Sequence, residues 1–90
     1  MDDKRRRELL DINKDLTLEG GSVGVVEWNE DYVTLIAQFG GYWQVPWETF
    51  ERVINGDGNF KAEDVTLTHM LYKGIGKEIP EPIKERFNLA

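Results

Sequence analysis

The chain of 90 residues contains no cysteine, and it has only one serine and one histidine. Without cysteine it can form neither a disulfide nor a thiolate zinc site, which fits a reducing, intracellular compartment. His69 has no cysteine and only Ser22 as a serine to work with, so we expect no enzymatic activity. We also expect no metal and no cofactor, because no glycine-containing stretch has the full spacing of a calcium or phosphate loop.

Long apolar runs are also missing. The basic residues in "MDDKRRRELLDINKD" are not followed by the apolar run of a signal peptide, and no stretch approaches the roughly 20 apolar residues of a membrane helix. We therefore predict a cytoplasmic protein with no membrane segment. The length suits one domain, and 11% aromatic with 40% hydrophobic residues favours a folded chain over a disordered one.

Positive charge is scarce in the middle of the chain. Residues 20–59 hold one basic residue, Arg52, against six acidic ones, whereas residues 1–19 carry −1 and residues 60–90 carry 0. The middle segment therefore supplies most of the net charge of −6. A negative field disfavours nucleic acid and favours a partner with a basic surface. The concentrated positive charge from Lys4 to Arg7 is flanked and nearly cancelled by acidic residues.

The hydrophobic pattern predicts one α+β domain over residues 1–90. We expect a small antiparallel meander of three or four strands, which can curl into an open barrel, with two or three short helices packed on it. Pro46 ends the last strand and begins a helix, because proline donates no amide hydrogen and suits a first helical turn. Residues 64–73 fit either a strand or a helix, and their flanking caps favour the helix. The predicted helices are 3–13, 46–55 and 81–88, and the predicted strands are 15–19, 22–28, 32–39 and 42–45.

Two turns set the predicted faces of the sheet. If Glu30-Asp31 and Gly40-Gly41 are two-residue hairpin turns, Trp28 pairs with Val33, and Gln38 pairs with Trp43. Trp43 then lies on a mixed face, where it either forms an exposed binding patch or packs under a helix. The predicted core face holds Val26, Trp28, Val33, Leu35, Ala37, Phe39 and Tyr42. The mixed face holds Val23, Val25, Glu27, Thr34, Ile36, Gln38, Trp43 and Val45.

These features favour a small, acidic, non-enzymatic module that binds and regulates another protein. The partner is expected to have a basic surface, as a nucleic-acid-binding protein does, and small phage or mobile-element inhibitors offer an analogy. A second hypothesis is a nucleic-acid-binding module that uses Lys4 to Arg7. A third is a structural homodimer joined through a sheet edge. The predicted partner-binding residues are Trp43, Gln38, Glu27, Glu30 and Asp31.

Overall fold

The structure, a computed structural model, describes residues 1–69 and 78–89. Within these residues, six strands form one curled, mixed sheet in the order β5-β1-β2-β3-β4-β6, accompanied by three α-helices and a short 3₁₀ helix, Ala62–Asp64. The α+β class is therefore confirmed, but the sheet is larger than three or four strands and is not purely antiparallel. The strands are β1 (Leu16–Leu18), β2 (Gly21–Trp28), β3 (Tyr32–Ala37), β4 (Gly41–Pro46), β5 (Asn59–Phe60) and β6 (Thr66–His69). The helices are α1 (Asp3–Leu10), α2 (Trp47–Ile54) and α3 (Glu81–Phe87).

The parallel pair of β1 and β5 is absent from the sequence-based prediction. Asn59 fixes this pair, because its Oδ1 accepts hydrogen bonds from the Thr17 hydroxyl at 2.7 Å and from the Gly20 amide at 3.1 Å. The Thr17 amide also donates to the carbonyl of Gly58 at 2.9 Å. A strand of two residues is too short to produce an alternating hydrophobic pattern, so its position depends on these contacts with β1.

The turn between β2 and β3 confirms the predicted Glu30-Asp31 hairpin. Trp28 pairs with Val33, and the Asn29 amide donates to the carbonyl of Tyr32 at 3.0 Å. The Asn29 side chain holds the turn closed, because its Oδ1 accepts from the amides of Asp31 and Tyr32, both at 2.8 Å. This use of a side chain to close a turn is typical of asparagine.

The turn between β3 and β4 contradicts the predicted register. Ala37 pairs with Gly41 rather than with Gln44, so the loop holds three residues, 38–40, instead of Gly40-Gly41. The Gly40 amide donates to the Ala37 carbonyl at 2.9 Å, and Gly40 has a φ of +87°, as expected for a three-residue hairpin loop. The pairing moves by an odd number of residues, which exchanges the faces of β4 relative to β3.

A bulge in β2 corrects a second prediction. Val25, not Val26, lies opposite Leu35, and the ladder resumes with Glu27 opposite Thr34. Val26 is the extra residue, and it is 48% exposed instead of lying in the core. On the C-terminal side of the bulge, Trp28 pairs with Val33 as predicted. On the N-terminal side, the one extra residue shifts the alternation of side chains between the two faces by one position.

The helices cover one face of the sheet. In α2 the residues Trp47, Phe50, Val53 and Ile54 are buried at the helical spacing that the sequence indicates, and they contact a core that includes Leu9 of α1 and Ile83 of α3. Helix α1 is shorter than the predicted 3–13 and begins after Asp2, whose side chain accepts from the Arg5 amide at 2.9 Å. None of the described helices is long and apolar enough to cross a membrane.

The preference for a helix over residues 64–73 is wrong where the structure describes them. Thr66–His69 forms β6, which pairs antiparallel with β4, so Tyr42 lies opposite His69. The edge of β4 offers unpaired backbone groups, and hydrogen bonds to them outweigh the local caps that favour a helix. Residues 70–73 of this prediction lie outside the described residues.

Candidate protein-binding surface

Trp43 lies in the core and not on a binding face. The register of the β3–β4 hairpin places it opposite Leu35, and its exposed fraction is 0%. Its ring makes edge contacts with Phe39, at a centroid distance of 6.0 Å, and with Phe87 of α3, at 5.3 Å. The expectation that Trp43 contacts a partner is therefore corrected by its burial.

Gln38 is exposed, but it lies far from the acidic residues predicted to act with it. It belongs to the loop after β3, where its amide donates to the carbonyl of Ser22 at 2.9 Å. Glu30 and Asp31 form the turn before β3, and this six-residue strand, about 17 Å long, lies between them and Gln38. Glu27, two residues before Asn29, lies near the Glu30-Asp31 end. Of the five predicted residues, Glu30 and Asp31 border one depression, whereas Glu27 lines a groove on the face that carries Tyr42.

The face of the sheet that carries Tyr42 holds a shallow groove with a volume of about 380 Å³. No described helix covers this face, and its Thr34 is buried between the side chains of neighbouring strands. Because the observed register differs from the predicted one, Tyr42 and Trp43 lie on each other's predicted faces. Tyr42 therefore has the position that the sequence predicts for Trp43. The groove is lined by Val26, Glu27, Thr34, Tyr42, Gln44 and Thr68.

An acidic patch lies at the Glu30-Asp31 turn, and we define it as Glu30, Asp31, Tyr32 and Glu48. These residues border a depression of about 370 Å³. Tyr32 is 42% exposed and stands beside Met1, which is 49% exposed, while the three carboxylates around them are exposed. The patch therefore combines exposed apolar side chains with a negative rim.

The acidic patch is built on a rigid support. The Trp47 indole Nε1 donates to the Asn29 carbonyl at 2.7 Å, which fastens the turn to the first residue of α2. Glu48, the next residue, is held by that helix beside the turn. The ring of Trp47 also meets Trp28 edge-on, with the centroids 5.7 Å apart. Two buried or half-buried tryptophans thus fix the position of an exposed tyrosine.

Among the described residues, Arg6 is the basic side chain that borders the acidic patch, and its own chain already engages it. The side chain of Arg6 is 12% exposed and forms an ion pair with Asp3. Its guanidinium also lies 6.0 Å from the centroid of the Trp47 ring and donates to the carbonyl of Glu30 at 3.4 Å. Arg6 therefore neutralises Asp3 first and leaves the carboxylates of Glu30, Asp31 and Glu48 facing solvent.

The other arginines of the basic run, which we define as Lys4 to Arg7, also contact their own chain. Arg5 donates to Glu51 of α2 through Nε at 3.1 Å and Nη2 at 2.8 Å. These hydrogen bonds raise the pKa of the Arg5 guanidinium, which is cationic at physiological pH even without them. The guanidinium of Arg7 lies 5.5 Å from the centroid of the Trp28 ring. The run therefore attaches α1 to the body of the protein.

Tyr32 and Glu48 are the residues of the acidic patch that the sequence-based prediction misses. Tyr32 follows directly after a two-residue turn, and turn-flanking aromatic residues combine a large contact area with an exposed position. In the sequence, Glu48 has only the local signal of an acidic residue that suits the first turn of the helix after Pro46. Its place beside Glu30 depends on how α2 folds back against the β2–β3 turn, which no local pattern specifies.

Comparison of the chain with protein-family models, with curated protein sequences and with solved structures finds no match. Within residues 1–69 and 78–89, no three histidine, aspartate or glutamate side chains converge in a way that would hold a metal ion. The geometry of the acidic patch is accordingly the basis of the functional proposal.

Proposed function

We propose that the protein is a small, non-enzymatic regulatory module that binds a partner protein with a basic surface through the acidic patch. One observation carries the proposal: Tyr32 is an exposed aromatic residue bordered by the carboxylates of Glu30, Asp31 and Glu48. Aromatic side chains at the centre of an interface provide much of its binding energy, and a surrounding charged rim provides orientation and speed of association.

The placement of the basic run supports this proposal over nucleic-acid binding. Arg5 and Arg6 form ion pairs with Glu51 and Asp3, and Arg7 lies over Trp28. To contact phosphates, these side chains would have to leave their present partners. The lost contacts would reduce the net free energy of binding to nucleic acid. The acidic patch in addition repels phosphates at the same end of the molecule. A basic protein surface, such as that of a nucleic-acid-binding protein, is the better match.

The proposal is tested by capture of partners from a cell extract with the tagged protein as bait. The test variant combines Glu30→Lys, Asp31→Lys and Glu48→Lys, and partners are identified by mass spectrometry. A matched control variant combines Glu63→Lys, Glu78→Lys and Glu85→Lys, which are exposed acidic residues outside the patch. Both variants have the same net charge, so a difference between them reports the position of the charges.

We expect a partner with an excess of lysine and arginine on its surface, which the wild type and the control variant recover and the patch variant does not. Equal recovery by all three proteins contradicts the proposal, as does equal loss from both variants. Melting temperatures of the three proteins show that each bait is folded. Steep salt dependence is expected as well, because exposed charge pairs are screened.

A further inference from the structure

The strand β2 has an unpaired edge. Its partner on one side, β1, covers only Gly21 to Val23, whereas β2 continues to Trp28. The carbonyl of Ser22 accepts from the Gln38 amide, so Ser22 and Gly24 direct their backbone groups toward β3. Because these groups alternate along a strand, the N–H and C=O of Val25 point to the opposite edge. No described segment pairs with β2 there beyond Val23.

A groove with apolar walls follows this edge. The chain before β1 turns away from β2 and leaves a space of about 660 Å³ between Ile12 and Val25, with Phe50 and Ile54 also lining it. Ile12 and Val25 are each 38% exposed. The groove therefore combines unpaired backbone groups with apolar walls, the two features that strand addition to a sheet edge requires.

We propose that this edge groove binds an extended segment of the partner protein, which adds a strand beside Val25. The inference rests on the proposed function, since the segment belongs to the protein that the acidic patch recognises. Charge favours basic ends on the segment: Asp15 lines the groove at its β1 end. Glu27 is exposed farther along β2 on the face that carries Tyr42, where an added strand also directs every second side chain. Lys14 directs its Nζ to the Gly56 carbonyl at 2.7 Å. The segment is therefore apolar and β-branched, with basic residues at its ends.

The dimensions agree with a short segment. From Gly24 to Trp28 the open part of the strand advances by about 13 Å, which an extended chain covers in about four residues. A second copy of this chain is a poorer occupant. Two edges of this length bury far less than the roughly 1,200 Å² of a stable interface, and each chain has a net charge of −6.

The probe is a synthetic peptide in which five alternating threonines and valines lie between two terminal lysines. It is titrated into the ¹⁵N-labelled protein, and backbone amide resonances are followed. We expect the resonances of Gly24 to Glu27 to shift and the exchange of the Val25 amide to slow. A peptide with its five central amides N-methylated has no strand donors and should not bind. A peptide with terminal glutamates should bind several-fold more weakly than the lysine peptide.

The substitution Val25→Pro removes the amide donor on the open edge and leaves the groups that face β3 in place. It should weaken binding of the lysine peptide about tenfold, as expected for one lost hydrogen bond and some lost packing. The substitution Glu27→Lys reverses the charge at one end of the edge. Glu27→Lys should make the peptide with terminal glutamates bind more tightly than the peptide with terminal lysines. This variant tests the inference even if Val25→Pro does not fold.

Three results overturn the inference: absence of shifts at millimolar peptide, shifts outside the edge groove, or equal binding of the methylated peptide. Concentration-dependent dimerisation that Val25→Pro abolishes would assign the edge to a second copy and contradict the inference equally. The peptide titration uses no cellular partner. Its failure is thus separate from failure of the proposed function, which is decided by the charge-reversal variants of the acidic patch.

Discussion

At the scale of single residues, the two buried tryptophans, Trp43 and Trp47, differ in whether their indole nitrogens have a hydrogen-bond acceptor. Trp47 Nε1 donates to the Asn29 carbonyl, whereas Trp43 Nε1 is buried with no acceptor among the described residues. A buried donor without a partner costs roughly 1–3 kcal/mol relative to a satisfied one. The stability provided by Trp43 therefore comes from packing against Phe39 and Phe87, and not from hydrogen bonding.

This difference predicts unequal effects of two matched substitutions. Trp43→Phe removes an unsatisfied donor, but Trp47→Phe breaks a hydrogen bond and releases the turn that carries the acidic patch. We expect Trp47→Phe to lower the free energy of unfolding by about 1 kcal/mol more than Trp43→Phe. Trp43→Ala should cost about 3 kcal/mol or more, because it leaves a large cavity. Urea denaturation measures all three, and a larger loss for Trp43→Phe than for Trp47→Phe would refute this assignment.

At the scale of secondary-structure elements, the loop from α2 to β5 depends on a close approach between Gly58 and the chain before β1. Gly58 has a φ of +76°, and a Cβ at this position would lie 2.8 Å from the carbonyl oxygen of Asp15. The carbonyl of Gly58 also accepts from the Thr17 amide. The pairing of β5 with β1 therefore requires glycine at this position.

Two glycine substitutions test this requirement. Gly58→Ala should destabilise the protein by about 2 kcal/mol or more, because alanine is strained at positive φ and its Cβ would contact backbone. Gly24→Ala is the control, since a Cβ there meets no atom within 4 Å. Alanine at Gly24 should be neutral or stabilise by up to about 1 kcal/mol. Thermal unfolding of both variants checks the prediction, which fails if they shift the melting temperature equally.

The elements that the sequence predicts well are those with a strong local signal. Trp47, Phe50 and Ile54 recur at helical spacing after Pro46, and the Glu30-Asp31 turn has Asn29 to close it. Predictions fail where the outcome depends on distant parts of the chain. Thr66–His69 becomes a strand because it meets the edge of β4, and β5 forms because it meets β1.

The candidate site depends on register, and register is set by details that the pattern does not contain. Gly40-Gly41 suits a two-residue turn, but the loop holds three residues, which moves Trp43 into the core and Tyr42 out of it. The bulge moves Val26 to the surface. Glu30 and Asp31 could be predicted to lie together because they form one turn, whereas Glu48 reaches that turn only through the tertiary fold.

At the scale of the whole molecule, charge is separated into a neutralised region and an acidic one. Helix α1 brings its arginines against Glu51 and the tryptophans, so much of the positive charge of the chain is used internally. The carboxylates of the acidic patch stay exposed at the nearby β2–β3 turn. The arginines of helix α1 therefore attach it to the rest of the protein, and the carboxylates of the acidic patch stay exposed to solvent.

This arrangement predicts different roles for neighbouring basic residues. Arg6→Ala should lower the free energy of unfolding by about 1–2 kcal/mol, because Arg6 loses its contacts with Trp47, Asp3 and the Glu30 carbonyl. Lys4→Ala, at an exposed position in the same helix, should change it by less than about 0.5 kcal/mol. Chemical denaturation distinguishes the two, and equal effects would show that the arginines do not fasten α1.

The dissociation constant of the captured partner would show whether the acidic patch recognises a basic protein surface. Isothermal titration calorimetry would compare the wild type, the variant reversed at Glu30, Asp31 and Glu48, and the control reversed at Glu63, Glu78 and Glu85. Recognition through the patch predicts that the patch variant binds about tenfold or more weakly, while the control stays within about threefold of the wild type. Equal weakening of both variants, or no weakening of either, would contradict it.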